Sequence, residues 1–472
     1  MEAAVTSHKS VETAAPARAA PSDQGAEVAR RGAPAGAPGA AAAPGAAVAP
    51  GAAAERAASR GLWISSTYFA EGLPYAIAHK VAGEFFTAAG ASLQIIGLVS
   101  LYGLPWNLKF LWSPLVDLHG SARRWLVGAE IALAVILLGL AATAESGALG
   151  LVAALFGLVA VAAATHDIAV DGFYLQALDK DAQAAFSGLR VGAYRLALLA
   201  GALLVAFAGW ASFGASFAVA AAALALLAGA HAAGLPRPAA APAPGAPAAG
   251  APAASGAAAA SGAAAAPGVA APGAAGLRRY VEPFRAFLRQ PRIASSLAFI
   301  LCYRAGDALM FAMSSPLLKD LGLDTAARGN VAGVGTVASI AGSTLGGVLI
   351  KRWGLARTIF PIALLQSLAI LLYVALASLR PALPWIVALV TLEQLAAGVG
   401  TAVLVVFLMR RCVDGYKSSH FAIGSALMSV SATFAGSVSG YLAAGVGFTA
   451  FFAIAFAASI PGVVLSRWVP RE

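Results

Sequence analysis

The chain carries little charge for its length: 11% of its 472 residues are Asp, Glu, Lys or Arg, against 60% hydrophobic residues. A water-soluble chain of this size needs far more charge to stay dispersed, so this scarcity excludes a soluble globular protein. Cysteine is nearly absent. Cys302 and Cys412 stand alone, each within or at the end of an apolar stretch. Two isolated thiols make neither a disulfide framework nor a metal cluster, and they read as small packing residues. The histidines are separated from any Cys ligand, and neither a Walker-type phosphate loop nor a nucleophile elbow occurs. The chain is therefore not expected to be an enzyme, to hold a metal or cofactor, or to draw on ATP.

What it has instead is apolar length. Mean hydropathy is +0.80. Apolar runs recur from Leu62 onward, each able to cross a ~30 Å hydrocarbon core at roughly 1.5 Å per residue. They lie near residues 62–86, 92–116, 124–144, 149–174, 185–209, 213–235, 293–315, 328–350, 357–379, 383–409, 419–443 and 448–467. This pattern predicts an all-α polytopic membrane protein with twelve transmembrane helices.

Residues 1–58 are Ala, Gly and Pro repeats without the branched and aromatic side chains of a core, and read as a disordered tail. No apolar run follows the first basic residue, so no cleavable signal peptide is expected. A second stretch of this kind, 236–276, reads as a flexible linker between a six-helix half at 59–235 and another at 292–472. Residues 277–291 mix aromatic and basic side chains, as an interfacial segment does.

The formal net charge of +10 would suit a nucleic-acid surface in another chain. Here the excess sorts by side. Arg56, Arg60, Arg123, Arg124, Arg278, Arg279, Arg285, Arg289, Lys351, Arg352, Arg357, Arg410, Arg411, Lys417, Arg467 and Arg471 share one side, against Lys319, Arg328 and Arg380 on the other. That asymmetry places both termini in the cytoplasm and makes the lipid bilayer, not nucleic acid, the partner.

The two halves also echo each other. Gly120 and Arg123 after the second span match Gly354 and Arg357 after the eighth, and Phe186 and Gly201 match Phe421 and Gly436. A duplicated six-span unit predicts a substrate site at the midplane between the halves. Small-xxx-small patterns at Gly342/Gly346 and Gly436/Gly440 predict close helix packing within the bundle.

Charges inside apolar spans are costly and cluster at pathways or at structural ion pairs. Asp167 and Asp171 lie one helical turn apart after the run 149–164, with Arg190 and Arg195 downstream as possible partners. Arg304 and Asp307 are three residues apart and can pair on one face. They, with Glu393, are expected to line the central cavity, and Gln394 beside Glu393 is a further substrate-binding or proton-coupling candidate. Span one holds Glu71, with His79, Lys80 and Glu84 nearer its outer end, where an interfacial place with Lys80 snorkelling is expected.

The stretch Lys109-Phe110-Leu111-Trp112-Ser113-Pro114 with Asp117, Gly120, Arg123 and Arg124 resembles the cytoplasmic loop motif of the major facilitator superfamily. Together with Glu71-Gly72-Leu73-Pro74, His166-Asp167-Ile168-Ala169-Val170-Asp171, Tyr194-Arg195, Gly306-Asp307-Ala308, Gly346-Gly347, Glu393 and Gly398-Val399-Gly400-Thr401, it resembles the AmpG-type muropeptide permeases and the related acetyl-CoA transporters. The resemblance runs from Tyr68 to about Val464. It departs at Glu71, where a small residue is usual, at His166, which replaces Gln, and at Gly172-Phe173-Tyr174, which replaces Ala-Trp. The two further C-terminal spans of the longer permeases are not present before Glu472.

The resemblance implies a major facilitator fold and a secondary transporter of the bacterial inner membrane. It points to proton-coupled import of a small hydrophilic solute, a peptidoglycan fragment or related amino sugar, by a monomer. Asp117, Arg123, Arg124, Asp171 and Arg190 are expected at a cytoplasmic gate. Lys109, Arg195 and Arg304 are candidates to attract anionic solute groups, Asp167 is a candidate to reach the cavity, and Asp307, Glu393 or Glu71 is the candidate proton carrier. Transport of an acyl-CoA, sugar or drug-like solute, perhaps outward, and a non-transporting membrane sensor are the alternatives.

Overall fold

The computed structural model describes residues 50–237, 274–413 and 417–469; most of the expected tail and linker lies outside the described residues. Ala54–Glu472 groups as one unit. All regular elements among the described residues are helical. Ala, Leu and Val dominate them, and short polar residues cap several starts. Asp179 accepts from the Ala182 amide at 2.8 Å, Ser212 from Ala215 at 3.0 Å and Asp324 from Ala327 at 2.7 Å. Each cap satisfies a donor that the first turn leaves open.

The first expected span is interrupted. Helix α1 (Pro50–Ala76) passes through a π-helical turn, Ile77–Val81, into α2 (Ala82–Ala88). The second is broken further, into α3 (Leu93–Leu98), a 3₁₀ turn at Val99–Gly103, α4 (Leu104–Leu108), another at Lys109–Leu111, and α5 (Ser113–Leu118). Prolines open α4 and α5, where a missing amide hydrogen is tolerated but the preceding turn cannot continue regularly.

Long helices follow: α6 (Ala122–Thr143), α7 (Leu149–Ala177), α8 (Lys180–Trp210) and α9 (Phe213–Gly234). Beyond the linker come α10 (Ala274–Leu288), α11 (Ile293–Tyr303), α12 (Ala305–Asp320), α13 (Thr325–Trp353), α14 (Leu355–Leu379), α15 (Leu383–Arg410) and α16 (Lys417–Leu465). Among the described residues nine helices are long and apolar enough to cross a membrane, where twelve were expected. The shortfall lies in the two interrupted spans and in α16, which joins two expected spans across Gly447 at φ 75° and ψ 164°.

In the first half α6 packs on α7 and α9; in the second, α13 packs on α15 and α16 packs on α11, α12 and α14. Gly342 and Gly346 let α13 approach the α15 backbone at Leu395 and Val399. The halves meet through α8 against α13 and α3 against α16. A methyl at Gly329 would overlap the Ala206 backbone, and one at Gly440 the Leu93 carbonyl.

The core reveals an asymmetry. One buried cluster spans both halves and includes Phe85, Phe86, Phe156 and Phe217 with Met310, Met313, Leu317 and Phe451. At the other end of the bundle each half has its own: Trp63, Leu126 and Phe173 in the first, Phe299, Ile359 and Phe407 in the second. The halves are thus fused at the end carrying the 88–93 and 320–325 loops, which the charge pattern assigns to the outside, and separate at the end carrying the 118–122 and 353–355 loops.

Candidate transport cavity and charge clusters

A cavity of about 420 Å³ lies between the halves, lined by Tyr75, His79, Lys80, Arg304, Tyr373, Gln394 and others. A second, of about 220 Å³, shares Tyr75, His79, Lys80 and Gln394 and adds Arg195 and Thr336. A volume of this order suits a small-molecule site. The π-helical turn sets the first wall. His79 and Lys80 of this turn line both cavities. They were expected at the outer interface with Lys80 snorkelling; Lys80 instead extends toward α13. π-turns of this kind are frequent at functional sites. Lys80 reaches the Thr336 hydroxyl at 3.3 Å and the Ala332 carbonyl at 3.4 Å on α13.

A break sets the second wall. The helical run of span seven pauses at Arg304 (φ −101°, ψ −1°) between α11 and α12. Arg304 lines the larger cavity and donates to Thr401 at 3.0 Å, while Asp307, three residues on, faces away. Asp307 is buried in a small recess with Tyr303, Gln366 and Ser459. It accepts from Gln366 and lies 3.8 Å from Arg304. Glu393 is likewise buried, hydrogen-bonded to Gln394 at 3.0 Å. Of the three residues expected to line the cavity, Arg304 does, while Asp307 and Glu393 stand one layer behind; the candidate Gln394 lines it as well.

The first half holds its own cluster. Lys109 pairs with Asp167, and Trp112 donates to Thr165 at 3.1 Å, so the two motif blocks noted in the sequence touch each other. Asp171 accepts from Arg190 at 2.6 Å and from the Tyr68 hydroxyl at 2.8 Å, with the Arg190 guanidinium 4.3 Å above the Tyr68 ring. Glu71 lies beside Asp167 and Asp171, with its Oε2 buried and unpartnered. Lys109 and Asp167 neutralise each other and line neither cavity. Lys109 is therefore not placed as a free anion attractor, nor Asp167 as a cavity residue. Arg195 lines the smaller cavity without an ion-pair partner among the described residues.

Of the residues expected at the gate, Asp171 and Arg190 pair with each other, whereas Arg123 and Arg124 do not join them. Asp171 and Arg190 join α7 to α8 inside one half. Arg123 donates to the Ala232 carbonyl, also within that half, and Arg124 is exposed. Asp117 belongs to α5, and its side chain lies outside the described residues. Ion pairing across the halves is found instead at the fused end. Arg328, 2% exposed, donates to Glu84 at 2.9 Å and to the Leu323 carbonyl at 2.9 Å. Lys319 donates to the Thr87 carbonyl beside it.

One constellation has no counterpart in the sequence reading. Glu130 of α6 is fully buried; His231 of α9 approaches it at 2.8 and 3.0 Å, and His166 of α7 at 3.3 Å. The other His231 nitrogen lies 2.9 Å from the Ser66 hydroxyl of α1. Four helices of the first half thus converge on one carboxylate, from positions too far apart in sequence for helical spacing to reveal. Removing it orphans two buried imidazoles. Glu130→Ala is expected to destabilise the protein by roughly 3–5 kcal/mol, as for a buried pair that loses one partner. A melt in detergent checks this, and an unchanged melting temperature would show the network to be dispensable.

A model of the Major Facilitator Superfamily matches residues 296–472. The anhydromuropeptide permease of Escherichia coli (strain K12) is 28% identical over 406 residues, covering 84% of this chain and 77% of the permease. An uncharacterized protein of Haemophilus influenzae is 24% identical over 420 residues, covering 85% and 92% of the two chains. Among solved structures, the D-xylose-proton symporter aligns with a TM-score of 0.63 at 12% identity, over 88% of this chain and 98% of the symporter. The nucleoside transporter NupG aligns with a TM-score of 0.60 at 14% identity, over 86% and 97%. These structural likenesses concern the fold.

Proposed function

Since the chain belongs to the AmpG-type family of the major facilitator superfamily, we propose that it imports a peptidoglycan fragment, an anhydro-muramyl sugar or muropeptide, in symport with protons. The protein is a multi-pass membrane transporter; the cargo, the coupling and an inner-membrane location with both termini cytoplasmic are our reading. The observation that carries it is the pair of cavities between halves that are fused at one end only. In an alternating-access transporter the fused end shuts the site on one side while the other side communicates with solvent. A monomer suffices, because each half contributes one wall.

Coupling to protons needs a titratable group that senses the cavity without being neutralised permanently. Glu393, one layer behind Gln394 and without a cation partner among the described residues, meets that description best. Asp307 is held more loosely than the other paired carboxylates, 3.8 Å from Arg304, and Glu71 has an unpartnered oxygen but lines neither cavity. Lys109–Asp167 and Arg190–Asp171 meet it less well, because each carboxylate already holds a cation. The test is uptake of radiolabelled anhydromuropeptide into inverted and right-side-out vesicles, with and without an uncoupler. Accumulation that collapses with the uncoupler is expected. Equilibration indifferent to the gradient would remove the symport, and absence of uptake would remove this cargo.

A further inference from the structure

Five basic or acidic groups border the two cavities, and their pairing is unequal. Arg328 and Glu84 neutralise one another, and Arg304 shares Asp307 at 3.8 Å. Lys80 and Arg195 have no carboxylate within ion-pair distance among the described residues. The wall is therefore cationic, and a cation desolvated in a protein interior is costly unless an anion joins it. Lys80 is held at the junction of the cavities by neutral oxygens of Thr336 and Ala332 only. Those partners orient the ammonium group but leave its charge uncompensated.

One turn back on the same segment is a second recognition element. The His79 ring stacks on Tyr75 with centroids 4.0 Å apart and planes inclined by 19°. Trp106 braces both edge-on, at 5.2 and 4.8 Å. Tyr75 and His79 both line both cavities. His79 is held by its Nδ1 contact to the Tyr75 carbonyl at 3.1 Å. A stacked aromatic pair at a cavity wall offers a flat apolar face to the C–H side of a sugar ring, which leaves the ring hydroxyls free for polar partners such as Gln394.

We propose that the π-helical turn Ile77–Val81 forms a two-part recognition site for a sugar acid: the Tyr75–His79 pair takes the ring, and Lys80 takes the carboxylate. This rests on the reading of the cavity as the transport site and specifies what it selects. The turn carries both polar parts of the site, since His79 and Lys80 each line both cavities. Because Lys80 spans from the first half to α13, an anion bound there also touches the contact between the halves.

The experiment uses the purified full-length protein and a pair of probes, N-acetylmuramic acid and N-acetylglucosamine, which differ in the 3-O-lactyl group that carries the carboxylate. Binding is measured by isothermal titration calorimetry at low and high salt. The unaltered protein is expected to bind the acid at least tenfold more tightly than the neutral sugar, with the preference shrinking as salt rises. Lys80→Gln should abolish the preference while leaving the neutral sugar within twofold; Lys80→Arg should keep it. His79→Ala should weaken both probes by about fivefold, and His79→Phe should weaken neither. No preference in the unaltered protein, or a preference that survives in Lys80→Gln, overturns the proposal. Should Lys80→Gln not fold, the salt dependence and Lys80→Arg in the same titration decide it. Uptake of the peptide-free anhydro-muramyl sugar, which keeps its lactyl carboxylate, that proceeds unaltered in Lys80→Gln would sink this site but not the transport reading. Selective acid binding without muropeptide flux would do the reverse.

Discussion

Replacing Arg328 with Met alone is expected to lower stability by roughly 3–5 kcal/mol, because Glu84 then remains buried without its cation. The pair is among the most enclosed in the protein, with side chains 2% and 7% exposed. It is also the ion pair that crosses between the halves among the described residues. Glu84→Gln combined with Arg328→Met should recover most of the loss, since two neutral side chains of similar size carry no desolvated charge. The double variant is expected to shift the conformational balance as well, because its fused end no longer has to break an ion pair to open. If the pair favours the closed end by ~1.4 kcal/mol, its removal changes that balance tenfold. Melting curves of Arg328→Met, Glu84→Gln alone and the double variant give the coupling energy. Additive losses would show that Glu84 and Arg328 act independently and would remove the latch.

Asp307→Asn is expected to abolish accumulation of substrate while preserving counterflow exchange. Asn keeps the shape and can still pair with Gln366, whose amide points at the carboxylate, but it cannot release a proton at any accessible pH. The distinction between the two assays is the informative part. Exchange needs the cavity and the rocking of the halves, whereas accumulation also needs the proton. Loss of both would indicate a structural role for Asp307 in holding α12 against α14. Full gradient-driven accumulation would transfer the proton to Glu393 or Glu71.

These two predictions differ in how visible their residues were beforehand. Arg304 and Asp307 are three apart on one apolar run, so helical geometry alone brings them near each other, and Asp171 with Arg190 follows from two helices joined by a short loop. The helical class was legible for the same reason: apolar length is a local property of a chain. Glu84 and Arg328 lie 244 residues apart, and Glu130 meets His231 over 101. Such distances close only through helix packing, which periodicity does not encode. The direction of His79 and Lys80 was hidden differently. Their place near the end of an apolar run gives their depth but not the helix they face, which only packing against α13 decides. Lys109 misled for the converse reason, because a lysine among apolar residues looks free until its carboxylate is found on another helix.

The shared cluster at the fused end has a thermal consequence. Phe85, Phe86, Met310, Met313 and Leu317 are all nearly inaccessible there, and any conformer that admits water between the halves must wet part of that surface. Hydration of apolar groups raises heat capacity by about 0.45 cal/K/mol for each Å² exposed. In the proposed alternating-access cycle, opening this end wets that surface while the other end closes over its own apolar clusters. The heat-capacity difference between the two states, and with it the curvature of their van't Hoff plot, is then set by how unequal the two ends are.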